Sequence, residues 1–257
     1  MPTNQGLLKE NEVLVALNGN KIKNLNSNLR LLVKNLYGVI DEEKTLQCHK
    51  VDDCNKTDLV ITYDDVDRCV SMKSGNATIV HNEILDNFCK YLKDQGISDK
   101  TIEIIRLYHY GDGTTDGTGQ IRLSSEVLNV EMKDMIRKAN AELNYDMTFI
   151  KRTINRLMFK GANEENIEAD SLYFGDREYG IVITQNQVMK HLTRRGFDFY
   201  DSLHIGPLLI RPDSRYVDKP IADERKRHRM VAYWPNLQAD VRYISKHYDY
   251  DYNRVRY

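Results

Sequence analysis

The side chains best suited to chemistry lie between residues 56 and 83, in three runs: Lys56-Thr57-Asp58-Leu59-Val60-Ile61, Val70-Ser71-Met72-Lys73-Ser74-Gly75 and Val80-His81-Asn82-Glu83. Residues two apart on a strand share a face, so a strand through 70–73 displays Ser71 and Lys73 on one side and sends Val70 and Met72 into packing. With Asp58 opening the neighbouring antiparallel strand, its carboxylate falls beside Lys73. A helix after Gly75, with Asn82 as its N-cap, then brings Glu83 to the same place. Two carboxylates and an ammonium suit phosphodiester hydrolysis. The acidic oxygens hold Mg²⁺, which polarises a phosphate and activates a bound water, while the lysine orients the nucleophile or offsets charge on the phosphorane. The same residues also admit structural roles: a solvated lysine at a strand end, an aspartate capping a turn, and, for His81, a satisfied core histidine on an apolar helix face.

This order of residues resembles the PD-(D/E)xK nuclease superfamily and, within it, type II restriction endonucleases. In that family a first Asp begins one strand of a hairpin and an acid-x-Lys motif occupies the next. Asp58 and Lys73 fit those positions, and Ser71 stands where the acid is usual. Some restriction enzymes of the superfamily carry Ser-x-Lys with the acid displaced onto the following helix, a part that Glu83 would take. The resemblance implies a further metal-directed Glu on the first helix, Glu12 or Glu10. It also implies a restriction-endonuclease-like α/β fold with a mixed sheet flanked by helices, Mg²⁺ as cofactor, and site-specific cleavage of double-stranded DNA. A homodimer follows from the resemblance too, since a two-fold protein cuts both strands of a palindrome. Ser71 leaves open a scaffold that has lost chemistry and serves as a DNA-binding or interaction protein; a repair or RNA nuclease is a further alternative.

The elements that must position these residues are legible in outline. Apolar spacing predicts helices over 6–17 and 25–37, then a meander of strands at 45–49, 58–63 and 68–73 separated by Asp/Asn-rich turns. Helices are expected over 79–93, 99–110, 124–143 and 147–159, the last stopped by Gly161. Strands follow at 171–174, 180–184, 203–210 and 230–234, with a short helix at 187–193. The sequence reads as one domain over 1–257, its nuclease core at about 1–110 and DNA-contacting additions at about 111–257.

Between the helices, residues 111–119 hold four glycines in nine and form a loop; without Gly-Lys-Ser/Thr or a complete calcium-loop pattern, they suit neither a nucleotide triphosphate nor Ca²⁺. Thr114 and Thr115 are candidate phosphate contacts. Residues 211–229 carry seven Arg/Lys against four acids, densest at Arg225-Lys226-Arg227-His228-Arg229, and Arg225, Lys226, Arg227 and Arg229 are candidate DNA contacts, a solvated charged loop being the plainer reading.

Composition bounds the rest. The 257 residues, 41% hydrophobic and 29% charged, can pack a core, and 37 Lys+Arg against 38 Asp+Glu confine any polyanion site to a local patch. No apolar run suits a membrane span and the first residues lack a signal-peptide pattern, so a cytoplasmic protein without membrane contact is expected. Cys48, Cys54, Cys69 and Cys89 lack paired CxxC spacing and are expected as reduced thiols, although His49 beside Cys48 makes a Cys/His metal cluster conceivable.

Overall fold

A computed structural model describes residues 5–51, 56–163, 165–194, 201–215 and 224–248. In chain order its first elements are α1 (Gln5–Leu17), α2 (Ser27–Tyr37), β1 (Gln47–Lys50), β2 (Leu59–Tyr63), β3 (Val66–Lys73), β4 (Ile79–Ile84), α3 (Leu85–Asp94) and α4 (Asp99–Tyr110). Then come α5 (Ser125–Glu131), α6 (Lys133–Leu143), α7 (Met147–Asn155), β5 (Ser171–Gly175), β6 (Gly180–Thr184), α8 (Gln185–Leu192), β7 (His204–Ile205), β8 (Leu208–Pro212), α9 (Glu224–Arg227), β9 (Arg229–Tyr233) and α10 (Leu237–His247). They form two compact units, one of residues 1–77, 158–191 and 236–257, the other of 78–157 and 192–235. No helix of the described residues is long and apolar enough to cross a membrane.

The first unit is built on a five-stranded mixed sheet in the order β1-β2-β3-β5-β6, with β3 and β5 parallel and the other pairs antiparallel. Helix α2 forms because Asn26 caps it, accepting from the Leu29 amide at 2.8 Å, and because Leu29, Leu32, Val33 and Leu36 make one apolar stripe. That stripe and Val13 and Leu17 of α1 join a core with Leu59, Ile61, Val70 and Met72 of the sheet. Between β2 and β3 the chain reverses through Asp64 and Asp65, at φ 54° and 60°, the two-residue left-handed turn that matches strand twist. The core then fixes the register. A one-residue slip of β3 would turn Val70 and Met72 off the core, at about 1.5–3 kcal/mol each, so the hairpin holds Ser71 and Lys73 where the alternation puts them.

The second unit carries an antiparallel sheet in the order β4-β9-β8-β7 with helices α3 to α7. Here the expected helix over 79–93 is corrected. Residues Ile79–Ile84 are strand β4, paired with β9 from Ile79↔Tyr233 to Ile84↔Arg229, and helix α3 begins only at Leu85. β-branched Ile79, Val80 and Ile84 suit a strand, and a register shift between Ile79 and His81 lets consecutive Val80 and His81 both turn inward. Asn82 is therefore a strand residue and not a helix cap. Smaller differences follow from local geometry. The expected 124–143 helix breaks at Met132, and the 203–210 strand divides into β7 and β8 around Gly206 at φ +55°. Helix α10 buries Leu237, Val241 and Ile244.

Candidate active site

Asp58 enters the sheet on a firm backbone. Its amide donates to the Val70 carbonyl at 2.9 Å and its carbonyl accepts from the Val51 amide at 3.2 Å, so both hairpin partners of β2 hold it. The residue before it is anchored as well: the buried Thr57 hydroxyl donates to the Ile167 carbonyl at 3.0 Å. On the side chain, Oδ2 accepts the Met72 amide at 2.5 Å and the Ser71 hydroxyl at 3.3 Å. One carboxylate oxygen is thus committed to β3. Ser71, buried at the position where the resemblance expects an acid, turns its hydroxyl onto Asp58. Lys73 follows two residues on, half-buried at the end of the same strand.

The second acid of this group is Glu10. Burial raises its carboxyl above the ordinary range, the charge of Asp58 raises it further, and Lys50 and Lys73 pull it back. Lys50, the last residue of β1, places Nζ 3.3 Å from Glu10 Oε2. Glu10, Lys50, Asp58 and Lys73 therefore share one electrostatic environment within the first unit. Glu12, the alternative on α1, is exposed. A sequence signal separates the two. Val13 and Leu17 are buried, and Glu10 lies three and seven residues before them on the same helical stripe, whereas Glu12 does not.

Glu83 has a different setting. It lies on β4 in the second unit, its carboxylate gripped by the Arg156 guanidinium at 2.5 and 2.8 Å and by His81 Nε2 at 2.9 Å. Burial pushes its carboxyl up, but the bonds from Arg156 and His81 outweigh this and hold it below the usual range. Arg156 stacks on the Tyr91 ring at 4.4 Å, and the Tyr91 hydroxyl is hydrogen-bonded to Thr153. The helical first-turn placement of Glu83 is thus corrected, and its oxygens already serve a bidentate arginine.

Metal-binding chemistry in the first unit would rest on the carboxylates of Asp58 and Glu10. An all-oxygen donor set with mutual repulsion to relieve suits a hard dication, and Mg²⁺ commonly takes one or two carboxylates with water and phosphate completing its shell. Among the described residues no three His, Cys, Asp or Glu side chains form a metal-sized group. Cys48, Cys69 and Cys89 are buried; burial pushes the Cys48 thiol up to about 12 and Cys89 to about 11, so both are protonated at neutral pH. Cys48 is buried and its strand neighbour His49 exposed, and Cys54 lies outside the described residues.

The cationic candidates of the second unit divide by partner. Arg225 and Lys226 are exposed on α9. Arg227 reaches back to Asp112 at 3.5 Å and the Gly119 carbonyl at 3.3 Å, and Arg229 donates to Asn82 Oδ1 at 2.5 Å. Arg215 is buried, donating to the Tyr108 and His109 carbonyls and to Ser125. The 111–119 loop is a built structure. It repeats Asp-Gly-Thr, and in each copy the aspartate Oδ1 accepts the amide and hydroxyl of the threonine two residues on, at 2.9 and 2.7 Å for Asp112 and at 3.1 and 2.8 Å for Asp116. The Thr114 hydroxyl also accepts the Gly117 amide, which commits it to the loop, while Thr115 is exposed.

No protein-family model and no curated protein matches the chain. Among solved structures it is similar to restriction endonuclease MspI in complex with its cognate DNA, at a TM-score of 0.50 and 16% sequence identity over 90% of this chain and 93% of that one. The mixed sheet flanked by helices is a restriction-endonuclease-like fold.

Proposed function

We propose that the chain is a Mg²⁺-dependent endonuclease that cleaves double-stranded DNA at a specific site, a type II restriction enzyme acting as a homodimer. The observation that supports this best is Asp58, locked by β3 through one carboxylate oxygen and electrostatically coupled to Glu10, in a hairpin that also carries Lys73. In this reading Asp58 and Glu10 hold the metal, with Glu10 in place of Glu12 and Glu83. Mg²⁺ held there would supply polarisation of the scissile phosphate and a water of lowered pKa. The Met72 amide and Ser71 hydroxyl keep Asp58 in one rotamer, so its other oxygen presents without reorganisation. The Lys73 ammonium orients the attacking water and offsets charge on the phosphorane. Arg225, Lys226 and Thr115 are the second unit's exposed candidates for DNA contact, the basic pair by charge and the threonine through its hydroxyl.

Purified protein with Mg²⁺ is expected to cut duplex DNA at a fixed sequence, and Asp58→Ala and Lys73→Ala to abolish cutting while still binding DNA. A second reading, a DNA-binding protein without chemistry, is favoured by Ser71 in the usual acid position. Sequence-specific binding by the wild type without cleavage in Mg²⁺ or Mn²⁺ would establish it.

A further inference from the structure

Lys50 has no part in the chemistry above, yet its position is specific. It pairs with Leu59 across the β1–β2 ladder, and directly opposed residues share a face, so its stem lies on the side of the sheet that faces α1. There it meets Glu10 at 3.3 Å, both side chains partly buried at 29% and 20% exposure. Asp58, whose backbone carbonyl bonds the residue after Lys50, has given one oxygen to β3. Among the described residues the ion partner of Glu10 is Lys50, and no backbone amide is found on its carboxylate. An ammonium and a divalent cation compete for the same carboxylate oxygens, and a partly exposed ion pair on a flexible four-carbon stem is cheap to break.

We propose that Lys50 is a built-in counter-cation: it neutralises Glu10 while no divalent ion is bound and gives up that carboxylate when one arrives. It is a positioning residue that sets metal affinity. The inference rests on the reading of Asp58 and Glu10 as the metal-holding pair.

The test is calorimetric titration of the full chain with Mn²⁺ in the absence of DNA. Lys50→Met is expected to bind Mn²⁺ about two- to fivefold more tightly than wild type, the range that corresponds to losing a partly exposed ion pair. Lys50→Arg, which keeps the charge, should remain near wild type, and in a Glu10→Gln background Lys50→Met should change nothing. Equal or weaker binding by Lys50→Met, with Mn²⁺ binding by the wild type that Asp58→Asn removes, overturns the counter-cation and leaves the metal pair standing. Absence of any Asp58-dependent Mn²⁺ binding overturns both.

Discussion

Glu83 and Asp58 are both carboxylates on strands of this chain, and their surroundings are opposite in kind. Glu83 has an arginine of its own, a histidine and near-complete burial, so its charge is spent inside the second unit. Asp58 accepts a backbone amide and a serine hydroxyl on one oxygen, which fix its direction, and it shares its electrostatic environment with a second acid, Glu10, and with Lys50 and Lys73. A carboxylate with a bidentate guanidinium holds a fold together; one that is oriented by hydrogen bonds beside a second acid is available to a cation that arrives later.

The largest expected effect breaks this comparison at Asp58. Asp58→Asn keeps an acceptor for the Met72 amide but loses the charge, and cleavage of plasmid DNA in Mg²⁺ should fall about 10³-fold or more while the thermal unfolding midpoint moves little. A parallel drop in stability would mean that Asp58 is a structural group like Glu83.

Next is the reverse experiment. Glu83→Gln leaves the largely covered Arg156 guanidinium beside a neutral partner, and urea unfolding should show a loss of about 3 kcal/mol, with cleavage by the folded fraction retained. The pH dependence has a definite sign. Because the folded carboxyl is held below its ordinary 4.5, its stabilisation is fully present above that value and disappears as pH falls through the lower, folded one.

A third measurement separates the second unit's buried groups by pH. His109 is buried and donates Nε2–H to the Arg227 carbonyl at 2.8 Å, and burial pushes it down to about 4 from 6.5. The unfolded chain therefore binds the proton first. Stability should be flat in this group above pH 6.5 and decline by on the order of 3 kcal/mol between 6.5 and 4, a decline that His109→Gln would flatten.

The smallest effect concerns α9. Arg225→Ala with Lys226→Ala should weaken DNA binding equally for all sequences and reduce the slope of log K against log salt by about 1.8, whereas Arg227→Ala should act through the loop that it holds and lower stability.

How much of this the sequence carried depends on the distance over which each signal acts. The β2–β3 hairpin with Asp58, Ser71 and Lys73 was legible because alternation and turn chemistry are local. Glu83 was misplaced because Ile79–Ile84 owes its strand to pairing with β9, far along the chain, and runs without a break into an amphipathic helix. Glu10 could have been preferred to Glu12 from the Val13 and Leu17 spacing alone. Lys50 offered no signal, since its meaning comes from a helix 40 positions earlier. Within the basic run, nothing in residue type distinguishes Arg227, turned inward to Asp112, from exposed Arg225.

The Asp-Gly-Thr loop has one more consequence. A methyl group at Gly117 would lie 2.6 Å from the Tyr110 ring, and one at Gly119 would lie 2.5 Å from the Asp112 carbonyl oxygen. Asp112, Arg122 and Arg227 clamp the same turns from beneath. Shape and tip chemistry are thereby decoupled: Thr115, Gln120 and Ile121 project outward and carry little of the loop's own architecture. Randomising those three positions offers an engineer variety on a constant chassis, whereas including either glycine in the library would collapse the platform that the variety stands on.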